Sequence, residues 1–188
     1  MNREEALAIV KEKLKPERYD HTIRVLETAL RLGEKMGIDL KKVELSAIFH
    51  DYAKYRPKEE MGRWILSEKT LSKDLLQYHH ELWHAPVGAI LVEREVGILD
   101  KDILMAIKSH TTGRVNMSDL EKIIFLADYI EPGRSFPGVD TVREVAQDNI
   151  NLGCKLALSN TIIFLLSKNQ KIYPDTFLAY NDFVTGGK

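Results

Sequence analysis

Six side chains in this sequence are of types that bind transition metals, and each falls where an apolar residue would be expected. His50 and Asp51 stand together in "SAIFHDYAK", on a face shared with Val43, Ser46 and Ala47. At about 3.6 residues per turn, His21 shares a face with Val25 and Leu32, His84 lies in line with Val87 and Leu91, and His110 continues the row of Ile103 and Ile107. Asp128, inside "IIFLADYI", follows Ile124 by one turn and has apolar neighbours almost all round. An unpaired ionised carboxylate in such surroundings is costly enough that it neutralises, finds a cation or binds a metal. One histidine on an apolar face is ordinarily a satisfied core or surface residue. Five helical segments that each deliver a His, an Asp or both have a different logic, because bundles assemble metal sites from inward residues on facing helices.

The ligand types narrow the ion. Four imidazoles with Asp51 and Asp128 make a set of intermediate softness, suited to Fe, Mn, Zn or Co and not to Ca or Mg. Six ligands exceed what one four-coordinate metal needs. Two metals bridged by one carboxylate use all six and leave open positions for water and substrate. Asp51, adjacent to His50, is the natural bridge.

The elements that must position these groups read as helices throughout: apolar residues recur mostly at helical spacing, and no repeat or low-complexity segment interrupts them. The expected fold class is all-α, a single-domain helical bundle over 1–188. One helix starts near Pro16 and stops at Gly37, with Tyr19, Ile23, Leu26 and Leu30 as its inward stripe. A second runs through "VELSAIFHDYAKY" and ends before Pro57. Residues 57–80 read as a mixed, polar connection. "ELWHAPVGAILVEREVG" resumes helical spacing, Asp100 caps a helix that ends at Gly113, and Ser118 or Asp119 caps another that runs to Pro132. "RSFPGVD" is a loop, 141 to about 168 is one long helix or two successive ones, "YPDTFLAYNDF" adds a last turn or two, and "TGGK" is a frayed end.

Composition excludes several classes. With 27 basic and 28 acidic side chains among 188 residues, the net charge of -1 gives no polyanion-binding surface, so a nucleic-acid polymer is not an expected partner. The single cysteine, Cys154, forms no internal disulfide and fits a reducing compartment. The first residues lack the features of a signal peptide, and the longest apolar run, "TIIFLL", is far below the ~20 residues of a membrane span, so a cytoplasmic protein is expected. No "GxxxxGK[ST]" or "GxGxxG" occurs, which sets aside P-loop and Rossmann readings. The apolar "LALSNTIIFLL" either completes a core or forms a homodimer contact.

The ordered set His21, His50-Asp51, His84, His110 and Asp128 resembles the metal-binding signature of the HD-domain phosphohydrolase superfamily over residues 18–134. "WHAPVGA", "SHTTG" and "LADYIEPGRSFPGV", together with "YPDTFLAYND", resemble motifs of the bacterial YqeK family. The resemblance implies an all-helical HD-type core completed by helices over about 141–183. It also implies a di-iron centre and symmetrical hydrolysis of diadenosine tetraphosphate (Ap4A) to two ADP. By the same analogy His21, His50, Asp51 and Asp128 hold one metal, and Asp51, His84 and His110 the other. The attacking group is then a hydroxide generated between the metals and not a side chain.

The phosphates need cations, and three are spaced to supply them. Arg18 and Lys54 each stand three residues from a ligand, His21 and Asp51, and Arg134 lies in "EPGRSFPG" after Asp128. Asp51 and Lys54 are thus the expected catalytic pair. Thr111, after His110, is a phosphate donor or a helix-end cap, and Tyr173 a base-stacking or packing residue. His79 and His80 read as surface or supporting residues and Trp83 as core. Two other readings share this ligand set: a different nucleotide phosphohydrolase of the superfamily, and a nucleotide-sensing or RNA-associated binding module.

Overall fold

The computed structural model describes residues 1–186, and among them there are ten α-helices and no strand. A helix the sequence left undelimited comes first: α1 (Arg3–Lys11) is closed by a capping box in which Asn2 and Glu5 satisfy each other's backbone N–H groups. α2 (Pro16–Met36) begins on its proline and ends at Gly37, whose φ of 67° is the left-handed conformation that terminates helices. Its inward face is Thr22, Val25, Leu26 and Ala29; the expected Tyr19, Ile23 and Leu30 only flank it, half-buried.

The helix expected to carry His50 onward to Tyr55 is shorter. α3 (Leu40–Phe49) stops one residue before the His-Asp pair. The chain continues in tight turns, Tyr52 N–H to Phe49 O at 3.1 Å and Lys54 N–H to Asp51 O at 2.8 Å. The approach to Pro57 disfavours helix, and such contracted bonds satisfy the carbonyls at a helix end. The His-Asp pair therefore sits on a helix C-terminus and not on a helix face.

The supposed connection contains a helix of its own, α4 (Lys58–Ser67), with acidic Glu59 and Glu60 favourably placed in its first turn and Met61 and Ile65 buried four residues apart. Two short 3-10 turns, Lys73–Gln77 and His80–Leu82, lead into α5 (His84–Leu91). α6 (Lys101–Ser109) is capped by Asp100, which accepts from two backbone N–H groups, an arrangement worth about 1 kcal/mol. α7 (Asp119–Ile130) is capped by Ser118. The region from 141 resolves into two helices, α8 (Val139–Asp148) and α9 (Ile150–Ser167), broken at Asn149, and α10 (Pro174–Val184) follows. Of "TGGK", Gly187 and Lys188 lie outside the described residues.

Two apolar clusters meet at α7. The larger joins α1 through α7, around Ile48, Phe49, Ile107, Ile123 and Ile124; the smaller joins the other face of α7 to α8, α9 and α10 through Leu126, Val142, Ala157 and Leu158. By length and composition alone α9 is apolar enough to cross a membrane. Its first half, with Cys154, Ala157 and Leu158 buried, is instead a core helix of the second cluster, while Ile163, Phe164 and Leu166 of its second half face outward.

Candidate metal centre

Each ligand-type side chain enters from a defined place. His21 projects from the second turn of α2, His50 caps α3 with Asp51 beside it, His84 opens α5, His110 caps α6, and Asp128 lies in the last turn of α7. All four imidazoles and Asp51 are at least 95% buried. The six groups predicted from the sequence converge on one point.

Asp51 stands at the centre with its two oxygens facing different histidines. Oδ1 lies 3.0 Å from His84 Nε2 and 3.9 Å from His110 Nε2. Oδ2 lies 3.2 Å from His50 Nε2 and 3.8 Å from His21 Nε2. Asp128 Oδ1 closes the second group at 3.1 Å from His21 Nε2. Three triads, His21-His50-Asp51, Asp51-His84-His110 and His50-His110-Asp128, each present ligand atoms within 4.8 Å of one another.

The donor set fits metal ions on direct chemical grounds. His21 Nε2, His50 Nε2 and Asp51 Oδ2 are buried without a hydrogen-bond partner, although such atoms are nearly always satisfied. His84 Nε2 and His110 Nε2 meet at 3.2 Å, two ring nitrogens whose opposite nitrogens are already engaged. Those opposite atoms are fixed: Nδ1 of His50, His84 and His110 donate to the carbonyls of Ala47, Glu81 and Ile107 at 2.7, 2.6 and 2.8 Å. Every Nε2 is thereby turned inward as a lone-pair donor.

Charge in the centre is tightly coupled. Burial alone would raise the Asp51 carboxyl, but the charge and close approach of the His50 and His84 rings hold it well below the usual carboxylate range. Asp128 is likewise held low against its burial by His21 and Arg134. Burial, then repulsion from His50 and His84, pushes His110 down to about 3, so its imidazole is neutral and free to ligate. Burial opposes charge on His50 too, yet Asp51 and Asp128 outweigh it and raise that group.

Arg18 Nη1 is 3.1 Å from Asp51 Oδ2, and Arg134 donates to the Asp128 backbone oxygen at 2.9 Å and to its Oδ1 at 2.5 Å. Lys54 is held at the rim by Glu81 Oε2 at 2.8 Å. Thr111 Oγ1 is buried without a partner, whereas Thr112 bonds its own loop at Gly113 O. Tyr173 is set apart from the six: it meets Tyr78 edge to face at 5.1 Å and faces a cavity of about 520 Å³ shared with Thr111 and Lys108. His79 and His80 stack on each other at 4.7 Å toward solvent, and Trp83 is buried with its indole N–H on Leu75 O, as expected.

Sequence reasoning missed Glu131. It is 2% exposed and accepts from His21 Nδ1 at 3.1 Å, Arg24 Nε at 2.6 Å and the Gly133 N–H at 2.6 Å. A Cβ at 133 would stand 2.6 Å from Arg24 Nε, so glycine there is what lets the guanidinium reach the carboxylate. Arg143 of α8 ties the same loop down through the carbonyls of Ile130 and Glu131. The only sequence signal was a carboxylate inside "YIEPGR", beyond the helix and so beyond any periodicity.

The HD domain family model matches residues 18–133, the segment that carries all six groups. The chain is 56% identical over 186 residues to a Bacillus subtilis protein named symmetrical bis(5'-nucleosyl)-tetraphosphatase, covering 99% of this chain and 100% of that one. It is 57% identical to a protein of the same name from Halalkalibacterium halodurans, covering 98% of each. A crystal structure from Clostridium acetobutylicum, described as a predicted HD superfamily hydrolase involved in NAD metabolism, superposes with a TM-score of 0.93 at 36% identity over 98% of each chain. With the ligand geometry, the family match and these near full-length likenesses in agreement, the chain belongs to the HD-domain family and, within it, to the YqeK family that its motifs resemble.

Proposed function

We propose that this protein is a metal-dependent phosphoanhydride hydrolase that cuts diadenosine tetraphosphate symmetrically into two ADP. The observation that carries the reading is Asp51, whose two carboxylate oxygens face His21-His50 and His84-His110 on either side. Near full-length relatives named symmetrical bis(5'-nucleosyl)-tetraphosphatases support the substrate. His21, His50, Asp51 and Asp128 would hold one divalent ion and Asp51, His84 and His110 a second. Such a pair of ions supplies an acidified water and charge neutralisation at the phosphates. Iron is the proposed metal, consistent with an imidazole-rich, mixed-carboxylate set, with Mn, Zn and Co as competitors.

The chain's own groups do the rest. Arg18 and Arg134, at the two carboxylates, are placed to bind phosphate oxygens as those carboxylates turn to metal, and Lys54 adds a rim cation within reach of a leaving ADP. Thr111 has a free hydroxyl to donate beside His110. A buried, unpaired Cys154 thiol fits a cytoplasmic enzyme. Incubation of iron-loaded protein with Ap4A, with products resolved by chromatography, tests the reading: ADP alone is expected, and ATP plus AMP, or no turnover, overturns it.

A further inference from the structure

We propose that the cavity between the 134–138 loop and the outer half of α9 binds one adenine ring of the dinucleotide; this rests on the substrate proposed above. The cavity, about 680 Å³, lies within the size range of small-molecule sites, about 300–1,000 Å³. Its walls are Tyr129, Phe136, Pro137, Asn160, Ile163 and Phe164, with no charged side chain among its lining residues.

Position links it to the phosphate chemistry. Tyr129 directly follows Asp128, and Phe136 comes two residues after Arg134, whose guanidinium holds Asp128. One short loop therefore carries a phosphate-type cation at its start and an aromatic wall at its end. The dinucleotide divides its chemistry the same way, with a polyanionic centre and flat, neutral ends. The cationic centre and the neutral aromatic cavity match that division.

Local structure prepares a platform. Tyr129 and Phe136 meet edge to face at 5.0 Å, which fixes both rings before anything binds. Phe164 and Ile163 remain 56% and 61% exposed in the apolar end of α9, a surface that gains by being covered. Asn160 supplies the one side-chain amide; it meets the Tyr129 hydroxyl within the same wall, and its remaining hydrogen-bonding capacity faces the polar edge of adenine. Thr161 spends its hydroxyl on Ala157 O in its own helix. Gly138, at φ 87°, leaves the space in which the amide sits, since a Cβ there would stand 2.8 Å from Asn160 Nδ2. A second copy of the chain would also cover Ile163 and Phe164, but it gives no role to an amide set among aromatic walls beside the phosphate loop.

Phe136→Ala and Asn160→Ala decide between these occupants, because both residues lie at the surface of the loop and helix. KM and kcat for Ap4A, the inhibition constant of inorganic tetraphosphate, ADP affinity and mass by light scattering are measured on each. Base stacking predicts that Phe136→Ala raises KM and weakens ADP about tenfold or more, with tetraphosphate inhibition and metal content unchanged. Unchanged KM and ADP affinity overturns the proposal, and a shift in mass alongside would assign the surface to a second copy. An equal rise in KM and in the tetraphosphate constant also overturns it, since the variant would then be disturbing the phosphate end. If wild-type protein does not cleave Ap4A, the substrate reading fails by itself, and ADP affinity still tests the cavity.

Discussion

Glu131 accepts the Nδ1 proton of His21 at 3.1 Å from 110 residues away in the chain. The other three ligand-type histidines are anchored differently, each on the carbonyl three residues before it. Those carbonyls come with the local turn and cannot be deleted by substitution, so His21 alone depends on a removable side chain. The carboxylate is itself held ionised, against its burial, by Arg24, His21 and the Gly133 N–H.

Replacing Glu131 with Ala should therefore lower the affinity for the metal beside His21 about 10- to 100-fold, the range found when such supporting partners are lost. Glu131→Gln keeps an accepting oxygen and should retain most of it. Competition with a chromophoric chelator measures both, and equal affinities in wild type and Glu131→Ala would rule the anchor out.

Asp51 carries a heavier burden, since both of its oxygens face ring nitrogens. Asp51→Asn keeps shape but puts an NH2 in place of one oxygen, directed at either His50 or His84. Turnover should fall by three orders of magnitude or more, and metal content should drop from two ions toward one. Retention of two ions per chain with ordinary turnover would remove Asp51 as the bridge.

Much of this centre was legible because helical spacing reports faces. His21, His84, His110 and Asp128 could each be read as inward from neighbours one turn away, and each is inward. His50, like His110, is the cap residue one position past its helix and still lies on the inward row. Beyond the cap, periodicity falls silent: the placement of Asp51 is a property of the helix end and of the bonds after it. Glu131 lies past the end of α7, and its partner is distant in sequence. α4 was overlooked because Met61, Trp64 and Ile65 are few apolar residues among charged ones, although their spacing was already that of a helix. The shortfall of Tyr19 and Ile23 as core residues has a similar cause: α2 is covered by α3 on one side and α7 on another, and only the three-dimensional arrangement selects the line between them.

Acid should destabilise the metal-free protein through the same cluster. The unfolded His110 titrates near the ordinary histidine value of 6.5, whereas the folded one is held at about 3, so between these values the unfolded chain binds the extra proton. Stability contributed by the neutral form is thus present above 6.5 and is lost progressively as pH falls toward 3. Asp51 and Asp128, held low in the fold, add a loss of the same sign below their ordinary value of 3.8. His50, raised in the fold, acts in the opposite sense and blunts the slope. Urea unfolding at pH 7, 5 and 4 should show wild type losing more stability than His110→Gln over that window; identical slopes would contradict it.

Metal should reverse part of that cost. Two ligand nitrogens, His21 Nε2 and His50 Nε2, are buried without hydrogen-bond partners, and each such group costs about 1–3 kcal/mol. An ion that binds them binds only the folded chain. At a hundredfold excess over its Kd it adds about 2.7 kcal/mol of stability. For a chain of this size that is a rise in Tm of about 5–10 °C. Fe(II) under anaerobic conditions, Mn(II), Co(II) and Zn(II) should each produce it in thermal unfolding of chelator-treated protein, and excess chelator should abolish it. Mg(II) and Ca(II) should not, because imidazole nitrogens suit them poorly. The His50→Asn variant weakens the site, so it should gain less on metal addition than wild type does. A Tm that ignores the transition metals, or responds as strongly to Mg(II), would show that the six groups are a polar cluster and not a metal centre.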